Sequence, residues 1–345
     1  MSPTTAAGAP AIALIGCGAI ARSFHLPALV RHPGLRERLI LADPEIERAR
    51  ALGAEFGVTH CVADYRDALD EVQGVVIATP HHLHFPIAMD AIRHGVHVLS
   101  EKPLAERAQD IRELQDAAAL KGVRVAVNNT RRLMPASRRI AEMIHRGEIG
   151  KLRSIEFFEG DKFGWPSASG SMFGVRGGGK GVLLDFGAHV LDLICWWMGG
   201  KPEVVDYRDD SFGGSEAVVH AVYELDGCRA DVRLSWLAKQ RNTVVIRGDG
   251  GEIEAGIYDL STITVRTRSG QARRVKIPTE VRTFPDLADT LIANFAAVLR
   301  GAEEPLVTAA DVLPSIELIE ESYPRRRRFE MPWHATLPVS EHASR

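Results

Sequence analysis

The chain has 345 residues, 45% hydrophobic and 25% charged, the composition of a soluble globular protein that can bury large cores. Lysine and arginine total 42 against 45 acidic residues, a formal net charge of −3, so nothing in the balance draws the chain to nucleic acid or an anionic membrane. No apolar run reaches the about 20 residues of a membrane helix, and Cys17, Cys61, Cys195 and Cys228 form no C-x-x-C pair, so a reduced cytoplasmic protein without a metal site is expected.

Residues 1–10 are small and polar with no basic start, and read as a tail rather than a signal peptide. Short apolar runs follow at 11–15, 39–42, 74–78, 97–99 and 124–127. Between them lie amphipathic stretches at 46–56, 86–94 and 105–120. Apolar strands alternating with helices predict a parallel sheet covered on both faces. Past Pro135 the pattern changes to a helix (135–146), a strand (151–159), a Gly- and Ser-rich loop (160–181) and one helix (182–198). From 203 to 275, strands are separated by turn signals such as Asp226-Gly227 and Ser269-Gly270, which predicts an antiparallel sheet. Helices at 284–300 and 309–323 close the chain.

Gly16-Cys17-Gly18-Ala19-Ile20-Ala21 is a G-x-G-x-x-A turn directly after the first strand. The first glycine makes the tight turn, the second admits a pyrophosphate, and the small third residue allows close helix–strand packing. The helix end beyond it offers N–H donors to phosphate. Asp43 ends the second strand, 27 residues past Gly16, a somewhat wide spacing that the turn at 31–35 absorbs. A carboxylate there binds ribose hydroxyls and repels a 2′-phosphate, which favours NAD over NADP, with NADP still admitted. Asp43 also stands where it can cap the next helix, just before Pro44.

The fourth strand ends in Thr79-Pro80, followed by His81, His82 and His84; the fifth ends in Ser100-Glu101-Lys102-Pro103. Open α/β sheets bind ligands at these strand ends, so Lys102 is placed in the crevice. Beside a cationic nicotinamide its ammonium form is disfavoured, which suits a proton relay. Asp185, His189 and Asp192 are spaced i, i+4 and i+7, and on a helix share one face. The glycines before them leave room for a ligand. The bland alternative is a core histidine held by Asp185. No third ligand completes a metal site.

At these residues the chain resembles the Gfo/Idh/MocA family, the glucose–fructose oxidoreductase and inositol dehydrogenase group. The resemblance rests on Gly16, Gly18 and Ala21, on Ala78-Thr79-Pro80 with His84, on Glu101-Lys102-Pro103, on Asp185-x-x-x-His189 and on Tyr323-Pro324-Arg325-Arg326. It implies a doubly wound Rossmann domain over residues 1–130. It also implies an α/β substrate and oligomerisation domain over 131–345, with a large, open, mostly antiparallel sheet and final helices that can pack back on the first domain. A homodimer or homotetramer is implied, as are Lys102, Asp185 and His189 as the catalytic group. Ala19, Ile20, Thr79, Pro80, His84, Glu101 and Lys102 join Gly16, Gly18 and Asp43 at the cofactor. Asn129, Arg131, Arg132, Lys162, Trp165, Arg176 and Asp192 are substrate-side candidates. The implied reaction is hydride transfer between NAD(P) and a secondary alcohol or ketone of a sugar or cyclitol. A redox-neutral glycosidase or epimerase that retains NAD, and a non-catalytic NAD sensor, are the alternatives.

Overall fold

A computed structural model describes residues 10–32, 34–164, 180–211 and 214–330. Trp165 and Arg176 lie outside the described residues. Strands β1 (Ile12–Ile15), β2 (Leu39–Ala42), β3 (His60–Val62), β4 (Gly74–Ile77), β5 (His97–Glu101) and β6 (Val125–Asn128) form one parallel sheet in the order β3-β2-β1-β4-β5-β6. All of β1, β2, β4 and β6 is buried, as expected of strands covered on both faces by α1 (Leu26–Arg31), α2 (Ile46–Phe56), α3 (His84–Arg93) and α4 (Ala108–Lys121). The strand order reverses at β1 and β4, the position where such sheets open a crevice at their carboxyl ends.

The second half runs α5 (Pro135–His145), β7 (Leu152–Gly160), α6 (Val182–Asp185) and α7 (Gly187–Met198). It continues with β8 (Glu203–Asp209), β9 (Val218–Leu225), β10 (Cys228–Ser235), β11 (Thr243–Gly248), β12 (Gly251–Gly256), β13 (Thr262–Thr267) and β14 (Ala272–Lys276), then α8 (Phe284–Leu299), α9 (Ala309–Ser322) and β15 (Arg327–Arg328). The nine strands pair in the order β14-β13-β12-β11-β7-β10-β9-β8-β15. Pairing is antiparallel except at β7–β10 and β8–β15. In β10, buried Cys228, Ala230, Val232 and Leu234 alternate with exposed Arg229 and Arg233, the period-two signature of a sheet with one face in the core.

The closing helices return to the first sheet. Val127 N–H donates to the Val307 carbonyl at 3.0 Å, Glu320 accepts from Ala108 N–H at 2.9 Å, and Arg31 pairs with Asp289. One expected element is divided. The helix read over 182–198 breaks at Phe186, between α6 and α7. His189 N–H bonds the Phe186 carbonyl at 3.0 Å, three residues back. The Asp185 carbonyl, its partner in an unbroken helix, accepts from Lys102 Nζ at 3.1 Å instead.

Candidate active site

The Gly16 turn is built for a close approach. Gly16 has φ +92°, and a Cβ there would meet the Ala78 carbonyl oxygen at 2.6 Å. A Cβ at Gly18 would meet nothing within 4 Å, so that backbone faces open space. Helical backbone starts at Ala19 and Ile20 and passes through a π-turn, Ala21–His25, into α1. Asp43 is buried, and its carboxylate accepts from Cys17 N–H at 2.9 Å, Glu45 N–H at 2.9 Å and Arg48 at 3.2 Å. It therefore ties the glycine turn to the end of β2 as well as capping the following turn. Arg48 lies over it with part of its guanidinium group in solvent. Thr79, beside Gly16, has a buried hydroxyl with no protein partner. An open glycine backbone, a helix start and an orphaned hydroxyl together fit a dinucleotide.

The end of β5 carries a cluster of ionisable groups. Lys102 Nζ donates to Asp185 Oδ1 at 2.6 Å and to the Asp185 carbonyl at 3.1 Å. An ammonium has three donors, so one N–H remains for a ligand. Burial alone would raise the Asp185 pKa. The charge of Lys102, its hydrogen bond and the Trp236 indole N–H outweigh it and hold the carboxylate below its ordinary range. His81 has its pKa pushed down to about 3 by burial and by Lys102 and His84, so its imidazole is neutral. The Lys102–Pro103 peptide is cis.

His189 faces the same cluster. Its Nδ1 meets Asn129 Oδ1 at 2.6 Å. Burial, then the positive charges of Arg131 and Lys102, hold its pKa well below 6.5, so this ring is also neutral at pH 7. Arg131 is buried and bidentate on Glu159, at 2.7 and 2.5 Å, and Tyr258 Oη also donates to Glu159 at 2.9 Å.

Three predicted residues turn away from the Lys102–Asp185 pair. Asp192 is fully buried and bidentate on Arg132 at 2.8 and 2.9 Å, while Arg132 also reaches Asp311 at 3.0 Å. Asp185, His189 and Asp192 thus meet three different partners. His84 has both ring nitrogens on carbonyl oxygens, Pro103 at 2.7 Å and Thr79 at 2.8 Å. It clamps the ends of β4 and β5 together. Glu101 Oε1 takes His25 Nε2 and Asn128 Nδ2, each at 2.6 Å, and Oε2 takes Lys102 N–H at 3.3 Å. It anchors the backbone of Lys102. Lys162 is exposed beyond β7.

Gly181 has a different purpose from the one expected. A Cβ there would lie 1.9 Å from the Glu216 carbonyl oxygen. The glycine makes room for the chain itself, and the buried Glu216 carboxylate accepts from Gly181 and Leu183 N–H groups at 3.0 Å each. Sequence reasoning missed His81 as a site group, although it saw the histidine run, and missed Trp236 and Glu159, which carry no local motif. Among the described residues, no group of three or more His, Cys, Asp or Glu could hold a metal ion, and no helix is long and apolar enough to cross a membrane.

Residues 11–129 match the oxidoreductase family with an NAD-binding Rossmann fold, and residues 137–254 match the GFO/IDH/MocA C-terminal domain. The dTDP-3,4-didehydro-2,6-dideoxy-alpha-D-glucose 3-reductase of Streptomyces violaceoruber is 32% identical over 300 residues, 84% of this chain and 85% of that protein. Levoglucosan dehydrogenase in complex with NADH and levoglucosan shares the fold, with TM-score 0.81 and 23% identity over 92% of this chain and 96% of that one. So does a 3-ketoreductase from Actinomadura kijaniata in complex with NADP and TDP-benzene, with TM-score 0.80 and 24% identity over 94% of this chain and 100% of that one. With both of its halves matched, the chain belongs to the Gfo/Idh/MocA family of NAD-binding oxidoreductases.

Proposed function

We propose that this protein oxidises a secondary alcohol of a sugar or cyclitol, or reduces the corresponding ketone, with NAD(P). One observation carries the reading: Lys102 holds Asp185 at 2.6 Å with an N–H to spare, beside a neutral His189. The reacting oxygen accepts from the free Lys102 N–H and donates to His189. In the oxidation direction His189 takes the hydroxyl proton while Lys102 stabilises charge on the oxygen. The bound nicotinamide supplies the hydride acceptor. Asp185 aims Lys102 through its carboxylate and its carbonyl. Arg131, pinned by Glu159, disfavours a proton on His189 before substrate arrives.

Gly16, Gly18, Ala19 and Ile20 would hold the pyrophosphate, with Thr79 and Pro80 along the dinucleotide and Asp43 at the adenosine ribose. Arg48 partly neutralises Asp43, so a 2′-phosphate is not rejected outright, and NADP is admitted beside NAD. Related proteins named as a levoglucosan dehydrogenase and a nucleotide-sugar 3-reductase support a carbohydrate substrate. The reading extends to a cytoplasmic homo-oligomer, which four free cysteines suit. The outward sheet face, where Arg233 and Arg241 lie over Phe158, offers a pairing surface.

The test is a panel of sugars, cyclitols and their keto forms followed by reduced-nicotinamide absorbance, with NAD and NADP in parallel. Turnover of one class with net cofactor reduction or oxidation is expected. Turnover of a glycoside with no net redox change would overturn the dehydrogenase reading, and cofactor binding without turnover across the panel would make the protein a sensor.

A further inference from the structure

Asn129 follows directly on β6, and its backbone is held from both sides. Its N–H bonds the Val127 carbonyl at 2.9 Å, and its carbonyl accepts from Arg132 N–H at 3.0 Å. The residue is 2% exposed. Its Nδ2 donates to the Ala188 carbonyl at 3.3 Å, and its Oδ1 meets His189 Nδ1 at 2.6 Å. These two contacts fix the amide's orientation. A carbonyl oxygen can only accept, so Ala188 must face the amide nitrogen rather than the amide oxygen. Oδ1 is then left toward His189, and it too can only accept. His189 Nδ1 must carry a proton.

A neutral imidazole has one N–H. With that proton on Nδ1, Nε2 is left with a bare lone pair. Nε2 is not among the buried unpartnered atoms of the described residues, and His189 is half-buried, so the lone pair is open to a ligand. Left to solvent, neutral histidine favours the opposite tautomer, whose exposed nitrogen is a donor. We propose that Asn129 is a positioning residue that locks His189 in the Nδ1–H tautomer, so that Nε2 presents a proton acceptor to the substrate hydroxyl. This rests on the assignment of His189 as the proton acceptor in the proposed reaction. It gives Asn129, expected to line the substrate, a task through His189 instead.

The locking needs more than steric support. Leucine at 129 would fill similar volume and accept nothing. Aspartate would accept the same Nδ1 proton, and its charge would favour imidazolium. The charged groups that bear on the ring are Arg131 and Lys102, both of which oppose its protonation.

The test uses the full chain with 15N-labelled histidine. Nitrogen–carbon-proton correlation spectra report which ring nitrogen is protonated, and His189→Gln assigns the signal. The wild type is expected to show a protonated Nδ1 and an unprotonated Nε2. Asn129→Leu is expected to lose that preference, with kcat down at least about tenfold and NADH affinity by fluorescence titration within about twofold of wild type. Asn129→Asp should keep the Nδ1–H tautomer and raise the midpoint of His189 protonation by about one pH unit or more. A wild-type spectrum with the proton on Nε2 would overturn the proposal, as would an Asn129→Leu spectrum unchanged from wild type. If Asn129→Leu does not fold, the wild-type and Asn129→Asp spectra still decide. The parent assignment fails separately: a His189→Gln enzyme with wild-type turnover removes His189 from the reaction whatever its tautomer.

Discussion

Two cation–carboxylate pairs cross from the end of the first sheet to the α6–α7 segment, and they differ in what they leave open. Lys102–Asp185 is 2.6 Å long, with 16% and 15% of the two side chains exposed. Arg132–Asp192 is 2.8 Å long, with 10% and 0% exposed. Arg132 spends its guanidinium on Asp192, Asp311 and the Asp311 carbonyl. Lys102 keeps one donor free. Burial pushes the Asp192 carboxyl up to about 6 against the pull of Arg132, whereas Asp185 is held down by its cationic neighbours despite burial. Access and a spare donor, rather than the presence of an ion pair, separate the pair proposed to react from the one that holds the fold.

The largest effect that sharpens this contrast is at Lys102. Lys102→Ala is expected to lower kcat/KM about a thousandfold, roughly 4 kcal/mol of transition-state stabilisation, with NADH binding retained by fluorescence titration. Wild-type activity in that variant would erase the distinction. Arg132→Ala should instead act on stability. Stranding buried Asp192 is expected to cost about 3–5 kcal/mol in urea unfolding, with activity preserved in the folded fraction. A loss under about 1 kcal/mol would mean the pair is not structural. Gly181→Ala, which collides with the Glu216 carbonyl next to α6, should cost about 1–3 kcal/mol and lower turnover as well, because it displaces the segment that carries Asp185.

The smallest effect is in the pH dependence of stability, where the two carboxylates have opposite signs. Asp185 titrates below its ordinary 3.8 in the folded state. Its contribution is present above 3.8 and is lost as pH falls through the folded value. Asp192 titrates at about 6 rather than 3.8. Its contribution is present below 3.8 and is lost as pH rises toward 6. Thermal scans should show Asp192→Asn flattening the slope between pH 4 and 6, while Asp185→Asn changes only the acid side. Slopes unchanged in both variants would leave the contrast to geometry alone.

The first sheet was legible because its strands are short apolar runs joined by helices, a pattern few other folds produce. β3 has a place in the strand count but no run that locates it: three residues at the sheet edge, with His60 exposed and Cys61 and Val62 half-buried, leave no apolar run to read. Lys102, Asp185 and His189 were legible by residue type and spacing. Asn129 was read as a substrate-side residue, but its contact with His189 was not legible, and neither were Trp236 and Glu159, since all three reach the site only through tertiary contacts between separate elements. Asp192 is buried against Arg132, a tertiary partner that helical spacing alone does not show.

That division has a consequence for anyone who would transplant the site. The Asp185 and His189 side chains could be copied onto any amphipathic helix at the same spacing. An unbroken helix would reclaim the Asp185 carbonyl for its own ladder, and the lysine would lose one of its two anchors. The portable unit is the interrupted turn together with the lysine that fills it. A redesign that straightens the segment for stability would keep every named residue and discard the geometry that aims them.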